Sequence, residues 1–155
     1  MYISRFTGDT DEHCIFKAGT DGSSPTGIVA GAQAAHGIQI DFQSRRLYWA
    51  EWFDSRIRSS NLDGGEVLTV NGNSRPFGIS LVGSRIFWSD YLGELRSMLK
   101  SGREILNVRE TSGMYIPAHI AATDWNLPKN RPNHCASQDC SGLCVLTRTS
   151  FKCLE

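Results

Sequence analysis

The sequence LYWAE at Leu47–Glu51 recurs 39 residues later as IFWSD at Ile86–Asp90. A second stretch, RIRSSNLDG at Arg56–Gly64, has a counterpart 38 residues further on at Glu94–Gly102. A third, RPFGI at Arg75–Ile79, has counterparts 41 residues before it and 41 residues after it. Three markers that keep their order at a period of about 40 residues are typical of the blades of a β-propeller. The chain is therefore predicted to be an all-β repeat protein.

Apolar alternation within each period predicts four short antiparallel strands and no helix. In the first marker, Leu47 and Trp49 are expected on one face of the sheet and Tyr48 on the other. Turn glycines follow the third strand, so the fourth strands are expected to begin at Val67 and Glu104. Residues 1–35 fit the same scheme from the second strand onwards, with an insertion in the acidic loop at 7–12.

Three regions follow from this pattern. The repeats amount to about three blades over residues 1–125, and a Pro-, Lys-, Asn- and Arg-containing stretch at 126–132 favours a linker. Residues 133–155 form a cysteine-rich tail.

Three blades cannot close a ring around a filled centre. We therefore expect two open blade faces, which either associate or depend on further blades.

Charge and hydropathy argue against two classes of partner. The 16 basic and 16 acidic residues cancel, and no Lys/Arg run forms a patch for nucleic acid. No stretch approaches the roughly 18 continuous apolar residues of a transmembrane helix, so we expect no direct membrane insertion of this segment. The first residues also lack the charged and apolar regions of a secretory leader.

Four of the five cysteines crowd the tail with the spacing C-x4-C-x3-C-x8-C. They are Cys135, Cys140, Cys144 and Cys153. So short a segment cannot rest on a hydrophobic core, and disulfides are expected to supply its order. Zinc is the alternative, but zinc sites favour CxxC or HxxxH pairs, which do not occur here. The sequence by itself leaves three connectivities open.

The cysteines also bear on the compartment. Disulfides indicate an oxidising environment. Because no leader precedes the repeats, we expect the chain to be a piece of a longer secreted or membrane-anchored protein. Cys14 stands apart from the tail and is expected to be a reduced thiol within a strand.

At these residues the chain resembles the YWTD (LDL-receptor class B) propeller of low-density lipoprotein receptor-related proteins, followed by a truncated EGF-like module. Residues 48–51 (YWAE) and 87–90 (FWSD) resemble the YWTD motif, and residues 61–64 (NLDG) resemble the LDG turn of the family. Residues 76–79 resemble its PxGL strand, and residues 133–153 the cysteine run that follows such propellers. The resemblance covers nearly the whole chain. It has two departures: Ile3 stands where the motif has Trp, and the tail contains four of the module's six cysteines.

The resemblance implies a six-bladed ring of which this chain supplies half. It also implies an extracellular location, on a membrane receptor or in a secreted protein, and ligand binding in endocytic or signalling receptors without catalysis or cofactor. The expected partners are an extracellular protein ligand and the remaining propeller blades of the parent chain.

Two alternatives are a matrix-assembly propeller of nidogen type and a six-bladed lactonase-like hydrolase. The hydrolase would need a carboxylate- and Asn-lined metal at the central channel. The first strands instead carry apolar residues, namely Ile38, Ile40, Ile79 and Leu81.

The repeated aromatic residues Tyr48, Trp49, Phe87 and Trp88 are interpreted as packing between blades. Three acidic residues at strand ends are interpreted as turn caps, because no calcium-loop pattern accompanies them. These are Asp41, Glu51 and Asp90. The histidines have no nucleophile or metal-site context, so we predict no catalytic or metal-binding residue.

Topology predicts one binding face. In an up-and-down blade, the loop between strands 2 and 3 and the loop after strand 4 open on the same rim. This brings together Trp52, Phe53, Arg75, Tyr91 and Tyr115. Aromatic side chains with an interspersed arginine are what protein interfaces concentrate. The alternative is that these rings merely cover the blade tops.

The pairing that the resemblance implies is Cys135 with Cys144 and Cys140 with Cys153. We expect peptide mapping under non-reducing conditions to recover both peptides and to find Cys14 as a free thiol, because loops this small depend on covalent closure. A Cys144–Cys153 or Cys135–Cys140 peptide contradicts the pairing. Zinc at about one equivalent per chain contradicts the disulfide interpretation.

Overall fold

The computed structural model describes residues 1–5, 14–72, 75–109 and 120–121, together with the backbone of two strands in the tail. Every regular element among these residues is a β-strand. The strands form three antiparallel sheets in chain order and one separate hairpin. The predicted all-β partial propeller is thereby confirmed, with a first sheet that begins on its second strand.

The first sheet has three strands: β1 Tyr2–Arg5, β2 Cys14–Lys17 and β3 Thr26–Ala30. The second sheet has four: β4 Ala35–Asp41, β5 Arg46–Glu51, β6 Arg56–Asn61 and β7 Leu68–Gly72. The third repeats this order: β8 Pro76–Val82, β9 Arg85–Asp90, β10 Leu95–Leu99 and β11 Leu106–Arg109. The tail hairpin pairs β12 Leu143–Leu146 with β13 Phe151–Leu154. None of the described residues belongs to a helix that is long and apolar enough to cross a bilayer.

The expected start of the fourth strands is wrong by one or two residues. β7 begins at Leu68 rather than Val67, and β11 begins at Leu106 rather than Glu104. Glu66 and Glu104 both have a positive φ, 51° and 54°. A left-handed residue keeps the chain in the turn, so pairing starts after it.

The motif tryptophans fill the spaces between sheets. Leu47 and Trp49 are fully buried and share a core cluster with Ile15 and Val29 of the first sheet. On the opposite face of β5, Tyr48 packs in a different cluster with the third sheet. This is the alternation expected from the sequence: β5 contributes one face to the preceding sheet and the other to the following sheet.

The same arrangement recurs one repeat later. Ile86 and Trp88 are fully buried and pack against Tyr48 and Ile57 of the second sheet. Phe87 faces the other way and is only half-buried. Successive sheets are thus joined by one apolar seam each, which is how propeller blades associate.

A glycine turn brings each sheet close to the sheet before it. Gly64 has φ +87° and Gly102 has φ +80°. A Cβ at Gly64 would lie 1.9 Å from the carbonyl oxygen of Ile28, and a Cβ at Gly102 would lie 2.3 Å from that of Val70. Each carbonyl belongs to the last strand of the preceding sheet, Ile28 in β3 and Val70 in β7. Only glycine permits this approach together with the positive φ.

An arginine holds each of these turns against its own sheet. Arg46 Nη2 donates to Ser59 Oγ (3.1 Å) and to the carbonyl oxygen of Glu66 (3.0 Å). Arg85 repeats the contacts, with Ser97 Oγ at 3.2 Å and the carbonyl oxygen of Glu104 at 2.9 Å. The sequence analysis missed this clamp. Aligning the repeats at 38–39 residues would have revealed it, because the Arg, Ser and Glu positions all coincide.

One buried ion pair joins the second and third sheets. Lys100 Nζ donates to Asp41 Oδ2 at 2.5 Å, and the Asp41 side chain is 8% exposed. Asp41 also accepts hydrogen bonds from the backbone of Gln43 and Ser44. Burial by itself raises the pKa of Asp41, but the bonds from Lys100 and Ser44 outweigh it and hold the pKa at about 2, below the ordinary 3.8.

Replacing Gly64 by alanine should destabilise the chain more than the matched change Gly83→Ala. Both glycines have a positive φ, but nothing lies within 4 Å of a Cβ at Gly83. We expect Gly83→Ala to cost about 1–2 kcal/mol for the left-handed backbone alone. Gly64→Ala should cost roughly 1–3 kcal/mol more, because the methyl group forces two sheets apart. Urea unfolding of the two variants measures the difference, and equal losses would show that the close approach to Ile28 carries no energy.

The Asp41–Lys100 pair should make stability depend on acid pH. The folded-state pKa lies below the unfolded value, so the contribution is present above pH 3.8 and is lost as the pH falls through about 2. This lowering of the pKa corresponds to roughly 2 kcal/mol of the free energy of unfolding. Asp41→Asn should therefore flatten the dependence of the free energy of unfolding on pH between pH 5 and 2, as followed by chemical unfolding at each pH. Asp63→Asn is the control, because the Lys17–Asp63 pair is solvent-exposed and worth little. A profile that Asp41→Asn leaves unchanged contradicts the assignment.

Candidate functional site

One edge of the sheets, here called the upper rim, is formed by the turn between the second and third strands of each repeat and by the loop that enters the next sheet. Two backbone hydrogen bonds tie these segments together: Trp52 N donates to the carbonyl oxygen of Ala34 (3.4 Å), and Tyr91 N donates to that of Arg75 (3.0 Å). The same pairing thus occurs in successive repeats. It places the aromatic turn residues next to the loops that precede β4 and β8.

Trp52 lies at the centre of a group of rings on this rim. Its ring centroid is 5.8 Å from that of Tyr91 and 5.9 Å from that of Phe53, both stacked. Phe77 lies 6.0 Å away edge-on, and His36 lies 5.7 Å away edge-on. His36 in turn stacks on Phe77 at 4.1 Å. We call these five residues, with Arg75, the aromatic rim.

Arg75 supplies the positive charge of the aromatic rim. Its guanidinium carbon lies 5.6 Å above the centroid of the Tyr91 ring, within the range of a cation–π contact. The outer members are open to solvent: Phe53 is 58% exposed and Tyr91 is 42% exposed. Leu92, next to Tyr91, is also exposed. The arrangement is an apolar, partly preorganised surface with one cation at its edge.

His36 is the titratable ring of the cluster. Its desolvation against neighbouring groups lowers its pKa from the ordinary 6.5. Neutral imidazole is therefore favoured at physiological pH, and Arg75 carries the charge of this surface.

Four of the five predicted binding residues lie together: Trp52, Phe53, Arg75 and Tyr91. Tyr115 lies outside the described residues. The sequence analysis did not include His36 and Phe77 in the group. Their positions are 41 residues apart in the third marker, and a ring at the same place in two repeats was the available signal.

In the tail, Cys135 and Cys140 lie outside the described residues. The backbones of Cys144 and Cys153 are opposite each other in the β12–β13 hairpin. The disulfide pairing stays a prediction. Cys14 is a free, partly buried thiol in β2.

Two of the three acidic strand-end residues cap turns as expected. Asp41 accepts from the backbone of its turn, and Asp90 Oδ1 accepts from Leu92 N (2.9 Å) and Glu94 N (3.0 Å). No group of three or more His, Cys, Asp or Glu side chains able to hold a metal ion occurs among the described residues.

Glu51 departs from the turn-cap interpretation. Its fully buried carboxylate accepts from Trp49 Nε1 (2.8 Å) and from Arg56 Nε (2.6 Å). The additional methylene of glutamate carries the carboxylate back to the indole. Asp90, the repeat equivalent, is shorter, and the buried Nε1 of Trp88 has no hydrogen-bond partner.

Sequence comparison relates the chain to receptor proteins. It is 32% identical over 78 residues, 50% of this chain, to low-density lipoprotein receptor-related protein 5 of Homo sapiens. It is 36% identical over 123 residues, 75% of this chain, to low-density lipoprotein receptor-related protein 4 of Homo sapiens. The matched segment spans 5% of the first relative's length and 6% of the second's. No family model matches the chain.

Fold comparison gives two similar solved structures. A chain in the crystal structure of a nidogen/laminin complex superposes with a TM-score of 0.64 at 20% identity, covering 76% of this chain and 46% of that one. TolB from Acinetobacter baumannii superposes with a TM-score of 0.59 at 16% identity, covering 73% of this chain and 31% of that one. At these identities the two structures support the fold alone. Taken with these relatives, the observed sheets show that the chain is built from YWTD-type β-propeller repeats, similar to those of the low-density lipoprotein receptor-related proteins.

Proposed function

We infer that the chain is a protein-binding module of an extracellular receptor or secreted protein, and that it binds its partner at the aromatic rim. The observation that carries this proposal is the contiguous set of rings around Trp52, with Arg75 at its edge. Trp, Tyr and Arg are the residues that most often anchor protein interfaces.

The aromatic rim has the physical character of such an anchor. Trp52 stacks with both Phe53 and Tyr91, which restricts its side chain and reduces the entropy lost on binding. Phe53 and Tyr91 still expose much of their rings, and this apolar surface is available to a partner. The charge of Arg75 can pair with a carboxylate at the edge of the contact.

The extracellular location rests on two independent features. The curated relatives are named as receptor-related proteins of the low-density lipoprotein type. The four tail cysteines are the kind of framework that oxidising compartments favour.

Binding is favoured over catalysis by the character of the inner strands. A lactonase-like propeller would need polar metal ligands on them. In β4 and β8 the corresponding residues are apolar and pack with the core, namely Ile38, Ile40, Ile79 and Leu81. Matrix assembly of nidogen type is the second candidate, and its basis is a likeness in fold to a chain of a nidogen/laminin complex.

The proposal is tested with variants of exposed rings. A peptide library displayed on phage and selected against the immobilised chain serves as the probe. Phe53→Ala and Tyr91→Ala should each weaken the selected peptides by roughly 1–4 kcal/mol, as expected for interface anchors. Titration by surface plasmon resonance gives the affinities, and circular dichroism checks that both variants stay folded.

Phe42→Ala is the matched control. Phe42 is also an exposed phenylalanine in a turn, but it lies on the opposite rim between β4 and β5. Peptides that bind all three variants equally, or lose affinity only for Phe42→Ala, contradict binding at the aromatic rim. Soluble laminin is assayed in parallel, and laminin binding that survives both rim substitutions would place matrix assembly on another surface.

A further inference from the structure

The turn that carries Trp52 is closed by an arginine at its far end. β5 ends at Glu51 and β6 begins at Arg56, so the turn comprises residues 52–55. Arg56 Nε donates to Glu51 Oε2 at 2.6 Å, and Arg56 Nη2 pairs with the carboxylate of Asp54 inside the turn. One guanidinium therefore bridges the residue before the turn and a residue within it.

The Glu51 carboxylate anchors this bridge in the core. Its side chain is fully buried, and its Oε1 accepts a hydrogen bond from Trp49 Nε1 at 2.8 Å. Arg58 Nη1 lies 3.4 Å from the same oxygen. Because a buried carboxylate without partners is costly, Glu51 is held where these donors converge. A continuous chain of contacts thus runs from the buried indole of Trp49 through Glu51 and Arg56 to the turn.

The backbone of the turn gives a reason why it depends on these contacts. Ser55 has a φ of 52° although it is not a glycine. A left-handed backbone is unfavourable for a residue with a Cβ, and it persists where the surrounding contacts enforce it. Arg56 follows Ser55 in the chain, and both of its partners precede Ser55. The two ion pairs therefore hold the turn closed around its strained residue.

The third sheet holds its equivalent turn in a different way. The left-handed residue there is Gly93, with a φ of 79°, so no Cβ is strained. Asp90 accepts hydrogen bonds from the backbone of this turn, and the buried Nε1 of Trp88 has no hydrogen-bond partner. The position of Tyr91 therefore depends on backbone hydrogen bonds, whereas that of Trp52 depends on a network of side chains.

We propose that Glu51, acting through Arg56, is a positioning residue of the aromatic rim and sets the place at which Trp52 meets the partner. This inference rests on the proposed function, because it assigns a role within the same binding surface. Trp52 directly follows Glu51, and its ring stacks with those of Phe53 and Tyr91, so a displaced turn would move the centre of the rim. A binding surface needs such a supporting set of contacts to keep its anchors in place.

Two substitutions test the positioning role from opposite ends of the network. Glu51→Gln removes the buried charge but keeps the length of the side chain, and Asp54→Asn removes the partly exposed charge inside the turn. Each should weaken binding of the phage-selected peptides by roughly threefold to tenfold, as expected for residues coupled in one network. Asp63→Asn is the matched control, because it removes a solvent-exposed ion pair with Lys17 away from the aromatic rim. It should leave the affinity unchanged.

The indole NMR signal of Trp52 reports the position of its ring without any partner. The Nε1–H resonances are recorded in the ¹⁵N-labelled chain, and the resonance that is absent in Trp52→Ala is that of Trp52. We expect it to move in Glu51→Gln and in Asp54→Asn and to stay in place in Asp63→Asn. A Trp52 resonance that neither network substitution moves overturns the proposal. If Glu51→Gln does not fold, Asp54→Asn decides alone, because Asp54 lies in the solvent-accessible turn.

A double-mutant cycle separates positioning from a general loss of stability. If Asp54 acts through Trp52, Asp54→Asn should not weaken peptide binding further once Trp52 is replaced by alanine. An equal loss of affinity with and without the Trp52 ring overturns the proposal. Where Trp52→Ala leaves too little binding to measure, the Trp52 resonance in Asp54→Asn decides.

Failure of the proposed function gives a different result. Peptides that bind Phe53→Ala and Tyr91→Ala as tightly as the parent chain contradict binding at the aromatic rim. The Trp52 resonance still decides in that case whether Glu51 and Arg56 fix the ring. Peptides that lose affinity for Phe53→Ala and Tyr91→Ala, but bind Glu51→Gln and Asp54→Asn like the parent, overturn the positioning role alone.

Discussion

The burial of the motif tryptophan of each four-stranded sheet against the preceding sheet is the interaction on which the rest of this structure depends. Trp49 and Trp88 are both fully enclosed, each between two sheets that would otherwise be thin layers with open faces. Removing a buried ring of this size typically costs about 3–5 kcal/mol. That is a large share of the stability of a domain of this length. The hairpins can form from local contacts, but only the packing of these tryptophans joins the sheets into a partial propeller, whose successive sheets form an arc.

The two rims of the arc differ in what their residues do: the lower rim fixes the sheets, and the upper rim presents aromatic side chains. On the lower rim, the Gly64 and Gly102 turns and the Asp41–Lys100 pair fix one sheet against its neighbour, and Arg46 and Arg85 each hold such a turn against its own sheet. On the upper rim, the turns end in rings that pack side by side yet stay partly open. A scaffold locked along one edge can present variable residues along the other without loss of stability, as is common for binding loops on rigid frameworks.

Much of the fold can be predicted from the sequence, because each repeat has the same alternation of apolar residues and the same turn glycines. Alternation around Trp49 and Trp88 predicts which side chains face which sheet, and turn glycines mark where the chain reverses. The rim residues could be brought together by topology alone, since strand order decides which loops share an edge. This reasoning places Trp52 beside Tyr91 without any coordinates.

The remainder could not be predicted from these patterns, for definite reasons. The left-handed Glu66 and Glu104 delay the fourth strands, and a glutamate gives no signal of a positive φ. The different hydrogen bonding of Trp49 and Trp88 depends on one methylene, the difference between Glu51 and Asp90. The inclusion of His36 in the aromatic rim depends on its stacking with Phe77, which is a matter of side-chain orientation.

The packing of the second sheet between the first and the third has a kinetic consequence. Both of its faces are covered within the described structure, whereas each of its neighbours has one covered face. In arrays of stacked units, stability is a sum over units and the contacts between neighbours. Opening should then begin at the outer sheets and reach β5 and β6 last. The amide protons of Leu47–Ala50 would therefore exchange with solvent most slowly, and the motif that defines the repeat would also mark its slowest-opening segment.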